Sequence, residues 1–137
     1  MPKYSQSSQK RLSTCHRDLQ TVFNEVIKYY DVTIACGHRG EAAQQEAYDD
    51  GFSTVQFPNS KHNSIPSMAT DAIPYPQKWS DMDALQVLGG FVMGVASQLY
   101  EQGKITHLIR WGHDWDGDHD YHDQTFIDAP HFELFKP

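Results

Sequence analysis

Asp128-Ala129-Pro130-His131-Phe132-Glu133-Leu134-Phe135 ends the chain two residues before its terminus, and its reading organises the rest. His131 to Phe135 reads as a terminal strand entered through a proline turn, so the imidazole of His131 is held by a sheet. Asp128, three residues upstream across that turn, can reach a point beside His131 without competing for the same bond. A carboxylate so placed can accept a proton from water and later pass it to a leaving amine. Read blandly, the same stretch is a surface aspartate in a turn followed by a half-buried histidine.

Working back from this segment, residues 112–124 form an acidic loop, and Ile105 to Trp111 reads as a strand. Ser80 offers an N-cap to a helix running to about Gln102, with Leu85, Leu88, Val92, Val95, Ala96 and Leu99 inward and Gly103 as the stop. Ala69-Thr70-Asp71-Ala72-Ile73 is a short strand ended by Pro74 and Pro76. Residues 52–70, rich in Ser, Asn and Pro, are mostly loop. Glu41 to about Asp50 reads as a helix, and Val32-Thr33-Ile34-Ala35-Cys36 as a β-branched strand closed by Gly37. From Ser8 to Tyr30 the positions Leu12, Leu19, Val22, Phe23, Val26, Ile27 and Tyr30 recur at helical steps, predicting one amphipathic helix. The order helix–strand–helix–strand–helix–strand–strand is that of a single α+β domain, residues 1–137, with helices covering a small sheet.

The chain has 137 residues, 39% of them apolar and 21% charged, within the usual range for one domain. No stretch reaches the roughly 18 apolar residues of a membrane span, and the polar start, MPKYSQSSQKRLSTC, lacks the apolar core of a secretory signal. The formal net charge of −7 argues against nucleic acid or an anionic bilayer as partner. Cys15 and Cys36 are too few for a disulfide framework and read as buried thiols. Six aspartates fall within Asp114–Asp128, a local clustering that suggests cations.

Catalytic zinc takes three ligands from His, Asp, Glu or Cys and leaves room for water. Of the eight histidines, His16 in the first helix and His107 in a strand read as structural. His38, His113, His119 and His122 lie in loops and stay ambiguous. His62 and His131 come with partners. Ser60-Lys61-His62, followed by Asp71 at the start of a strand, can place two ligands on one side of a sheet edge, with Ser60 steadying the loop or the ring. Ser, His and Asp are also common loop residues, so the pattern is weak alone. In the acidic loop, Asp114, Asp116, Asp118, Asp120 and Asp123 place carboxylates at near-alternate positions. These either wrap one calcium ion or form an exposed acidic turn; the glutamate that completes an EF-hand is missing.

Ser60-x-His62…Ala69-x-Asp71, followed by Asp128-x-x-His131, resembles the metal signature of the zinc D,D-carboxypeptidase and L-alanyl-D-glutamate peptidase family. The likeness is greatest to short T5-like phage endolysins, and it extends to Gly37-x-Arg39, to Trp111-Gly112-x-Asp114-Trp115 and to His131-x-Glu133-Leu134. It implies a small antiparallel sheet with helices packed on it, the fold shared by D,D-peptidases and hedgehog signalling domains. It further implies zinc on His62, Asp71 and His131, Asp128 as general base, and Arg39 as a substrate or oxyanion contact. Calcium is implied on Asp114, Asp116, Asp118, Asp120 and Asp123. The substrate would be a peptidoglycan stem peptide, cut between L-Ala and D-Glu by a monomer without a separate wall-binding domain. The enzyme would be made in the host cytoplasm and reach the wall after holin-mediated release. The alternatives are a D-Ala–D-Ala carboxypeptidase or dipeptidase and a non-catalytic zinc-stabilised binding domain. The His62–Asp71 spacing is two residues longer than the family pattern and lacks its glycine, so residues 63–68 are expected to bulge outward.

Overall fold

The computed structural model describes residues 2–137. Among the described residues, four α-helices, α1 (Gln6–Ser13), α2 (Arg17–Val26), α3 (Glu41–Asp49) and α4 (Met82–Glu101), accompany four strands, β1 (Val32–Cys36), β2 (Ala69–Pro74), β3 (Leu108–Trp111) and β4 (His131–Phe135). The strands form one antiparallel sheet in the order β1-β2-β4-β3, in agreement with the α+β expectation.

Because side chains alternate across a strand, the sheet has two unlike faces. Val32, Ile34, Ala72, Ile109, Trp111, Phe132 and Leu134 join one core with Leu19, Val22, Phe23 and Val26 of α2 and with Leu88, Val92, Ala96 and Leu99 of α4. The intervening residues of the two central strands, Asp71 on β2 and His131 and Glu133 on β4, take the opposite face. The register sets Asp71 directly opposite His131. Burial of one face therefore presents the polar residues on the other.

α4 is long and apolar enough to cross a bilayer by length and composition, but its Leu85, Leu88, Val92, Ala96 and Leu99 are buried in the protein, as suits a core helix. Gly89 lets it approach the sheet closely: a Cβ there would lie 2.0 Å from the Trp111 ring. The helix is capped by Asp81, which accepts from Ala84 N–H at 3.1 Å, rather than by Ser80.

Two further expectations need correction. The helix foreseen over 8–30 is broken into α1 and α2. Thr14 turns its hydroxyl back to the Arg11 carbonyl, and Thr14 and His16 bond the backbone of Ser67. His16 then caps α2, its Nδ1 accepting from Asp18 N–H at 2.9 Å. Such local side-chain bonds compete with helix continuation, and the apolar spacing carries across the break because Leu12 and Leu19 serve the same core. The strand foreseen over 105–111 starts only at Leu108. The N–H groups of Thr106 and His107 go instead to Asp18 Oδ2, at 3.0 and 3.1 Å, and His107 Nδ1 joins them at 2.7 Å.

Candidate metal centre

The open face of the sheet carries Asp71 and His131 side by side, and a one-turn 3-10 helix, Lys61–Asn63, brings His62 to them. Ser60 caps that turn, accepting from His62 N–H at 3.2 Å, while Asn63 Oδ1 accepts from Ser60 N–H. Ser60 thus steadies the loop backbone rather than the ring. The ring is aimed by Gly37: His62 Nδ1–H donates to its carbonyl at 2.8 Å. Gly37 follows the irregularity in the β1–β2 ladder between Ile34 and Cys36. Of the loop after His62, which was expected to bulge over 63–68, residues 64–66 are exposed, Ile65 by 86%, while Ser67 is buried against Thr14 and His16.

Asp71 Oδ1 lies 3.3 Å from His62 Nε2 and 3.3 Å from His131 Nδ1. His62 Nε2 is fully buried and makes no hydrogen bond. A buried donor or acceptor without a partner is costly, and this one points at a carboxylate and a second imidazole. Two imidazoles and a carboxylate are the donor set of catalytic zinc sites. The edge of a tetrahedron with 2.0–2.1 Å metal–ligand bonds is about 3.3 Å. The three ligand atoms lie within 4.8 Å of one another, so the residues fit a zinc ion without rearrangement of the backbone.

The electrostatics fit as well. Burial alone would lower both imidazoles. Asp71 more than reverses this, holding His62 up at about 10 and, with Glu133, His131 at about 9. Burial would raise the Asp71 carboxyl, but the two histidines pull it well below the usual range. Without metal this is a compact cluster of charge, which a divalent cation replaces by displacing protons.

Asp128 lines the same cleft, of about 300 Å³, with Arg39, Lys61, Trp115, Phe126 and the three metal-site residues. Burial first, and then the charge of Asp71, pushes its carboxyl up to about 6. Its position is set by backbone: Asp128 N–H donates to the Gly112 carbonyl at 2.8 Å, and His131 N–H donates to the Asp128 carbonyl at 3.0 Å. Arg39 also reaches the centre. Its guanidinium donates to Asp71 Oδ2 at 3.3 Å and to Gln44 Oε1 at 3.0 Å.

Three contributors were not singled out from sequence. Gln44, completely buried on α3, joins Arg39 to Ser53 and to the Val55 carbonyl. Glu133 accepts from His131 Nε2 at 2.8 Å; its place two residues after His131 was the available signal. Cys36 is not an ordinary buried thiol, since its Sγ lies 3.9 Å from His62 Nδ1 and 3.7 Å from Arg39 Nη2. Cys15 is fully buried, its thiol pushed up to about 11 chiefly by that burial.

The remaining histidines stay apart from the centre. His16 and His107 gather around Asp18, His113 stacks on Tyr121 at 4.5 Å, and His122 is exposed. In the acidic loop Asp114, Asp116 and Asp118 form a group with oxygens in mutual reach. Asp114 is buried, and its Oδ1 has no partner. Asp120 instead accepts from His122 N–H, capping a short turn over 121–123. Asp123 contacts Gln124 and Asp118, the latter raising its carboxyl. The loop borders the His62–Asp71–His131 cluster through Trp115, whose ring centroid is 5.4 Å from that of His131.

No curated protein sequence matches the chain significantly. Among solved structures it is similar to the L-Ala D-Glu endopeptidase ChiX of Serratia marcescens, with a TM-score of 0.73 and 23% identity over 97% of this chain and 90% of that one. At that identity the likeness speaks for the fold. The family model for phage L-alanyl-D-glutamate peptidases matches residues 1–135, and the chain belongs to that family.

Proposed function

We propose that this chain is a zinc endopeptidase that cuts the L-Ala–D-Glu bond of peptidoglycan stem peptides, acting as a phage endolysin released to the host wall through a holin. The observation that carries the reading is the convergence of His62, Asp71 and His131 around a point open to the cleft that Asp128 lines. A zinc ion bound there supplies a Lewis acid that polarises the scissile carbonyl and acidifies water.

The chain's own residues do the rest. Asp128 takes a proton from the attacking water and delivers it to the leaving D-Glu amine as the C–N bond breaks; a carboxyl near pH 6 suits both halves of that task. Arg39 holds Asp71, and its positive charge on the wall of the cleft offsets the negative charge that develops on the carbonyl oxygen. Trp115 and Phe126 form an apolar wall that limits water around the reacting groups.

The same reading extends to the acidic loop. Calcium on Asp114, Asp116 and Asp118, with Asp120 and Asp123 nearby, would order a segment that touches both His131, through Trp115, and Asp128, through Gly112. Calorimetry is expected to show one calcium per chain and faster wall lysis on its addition. No heat of binding would remove this part.

Mass spectrometry of digested peptidoglycan tests the main reading. Stem peptides released with a new D-Glu amino terminus are expected. Loss of terminal D-Ala alone would mark a carboxypeptidase, and unchanged peptidoglycan a binding domain.

A further inference from the structure

We propose that Glu133 is a positioning residue that fixes the ring of His131, presenting Nδ1 to the metal centre through a carboxylate–histidine contact. The inference rests on the metal-centre reading and adds a residue to it.

His131 has two ring nitrogens with different surroundings. Nδ1 lies 3.3 Å from Asp71 Oδ1, inside the cluster, and Nε2 lies 2.8 Å from Glu133 Oε1, outside it. A neutral imidazole carries one N–H and one lone pair. With Glu133 accepting from Nε2–H, the lone pair is left on Nδ1, the nitrogen that faces Asp71. A carboxylate on the distal nitrogen also raises the basicity of the ligating one.

Glu133 is itself held. The register sets it opposite Arg110 on β3, whose Nη1 lies 3.5 Å from Oε2 while its guanidinium covers the Phe135 ring at 4.5 Å. Lys61 approaches Oε2 at 3.9 Å and donates to the Leu134 carbonyl at 2.5 Å. The residue immediately before one histidine is thereby tied to the strand that carries the other. These two cations hold Glu133 turned toward His131. Without them a carboxylate only 13% exposed would have little reason to face inward. The outer nitrogen of His62 meets a neutral backbone carbonyl, whereas that of His131 meets a carboxylate.

The test is zinc affinity by competition with a chromophoric chelator, on protein whose fold is checked by circular dichroism. Glu133→Ala is expected to bind zinc about 10–100-fold more weakly. Glu133→Gln keeps an acceptor and is expected within about tenfold of the wild type. The ring Nε2–H of His131 should give an exchange-protected proton resonance in zinc-loaded wild type and Glu133→Gln, and none in Glu133→Ala. Wild-type affinity in Glu133→Ala would overturn the assignment, as would Glu133→Gln binding no better than Glu133→Ala. Failure of the wild type to bind zinc would overturn the metal-centre reading along with it, a result distinguishable from the other two.

Discussion

Asp128→Asn replaces the proposed base by a neutral isostere and separates activity from stability in opposite directions. Burial raises the Asp128 carboxyl from 3.8 to about 6. The folded protein therefore holds that proton more tightly than the unfolded chain does. Below pH 4 both states are protonated and the group costs nothing. As pH rises through 6 the folded state must bear a buried charge, and stability falls. Two units at 1.36 kcal/mol each put the cost at up to about 3 kcal/mol at pH 7. Asparagine removes it, so the metal-free variant should melt higher than wild type at pH 7, by up to about 10 °C for a chain of this size, and the gap should close at pH 4. Zinc-loaded variant should lose about 10²- to 10⁴-fold in activity, roughly 3–5 kcal/mol of transition-state stabilisation, with zinc content unchanged. Differential scanning calorimetry with chelator, and muropeptide turnover with zinc, read the two effects. Retention of more than about a tenth of the activity would refute the role of Asp128. A variant less stable at pH 7 than wild type would refute the electrostatic reasoning.

Zinc binding at pH 7 should release about two protons, because His62 at about 10 and His131 at about 9 must give theirs up. The same groups stabilise the metal-free fold fully below pH 6.5, and that stabilisation is lost as pH rises through 9–10, while zinc affinity climbs; calorimetry in buffers of different ionisation enthalpy measures the count, and zero would contradict it. Asp18→Ala should cost about 3–5 kcal/mol, read by urea unfolding, because four donors from Thr106 and His107 lose their acceptor; zinc stoichiometry of the folded protein should not change. Gly112→Ala places a Cβ 2.2 Å from the Asp128 carbonyl oxygen, so kcat should fall by up to about 10² as the base is displaced, with Kd for zinc the discriminating control.

Legibility in the sequence followed how local the signal was. The strands, α3 and α4 were readable because apolar spacing and Gly or Pro stops lie within each segment. The break at Thr14–His16 was not, since its cause is a bond to Ser67, fifty residues away, while the apolar period runs straight through it. Asp18 lay unremarked inside the single helix expected over 8–30, yet its carboxylate takes the N–H groups of Thr106 and His107 and so determines where β3 begins. His62, Asp71, Asp128 and His131 are ordinary residue types taken singly; it is the order of two short motifs, Ser60-x-His62…Ala69-x-Asp71 and Asp128-x-x-His131, and the family those motifs resemble, that singled them out. Gln44 and Glu133 could not be given roles, because each acts through a contact that only the sheet register or the packing of the 52–63 loop creates. The acidic loop was visible as composition; which carboxylates group together depends on turns, Gly117 and His119 at positive φ among them.

The most direct test of the central claim is muropeptide cleavage by chelator-stripped protein before and after stoichiometric zinc is restored. The expected result is no L-Ala–D-Glu cleavage without the metal and full recovery with it in wild type, with none recovered in His131→Ala. Cleavage of that bond at the wild-type rate by fully stripped protein, or recovery in His131→Ala, would contradict a metal centre built on His62, Asp71 and His131.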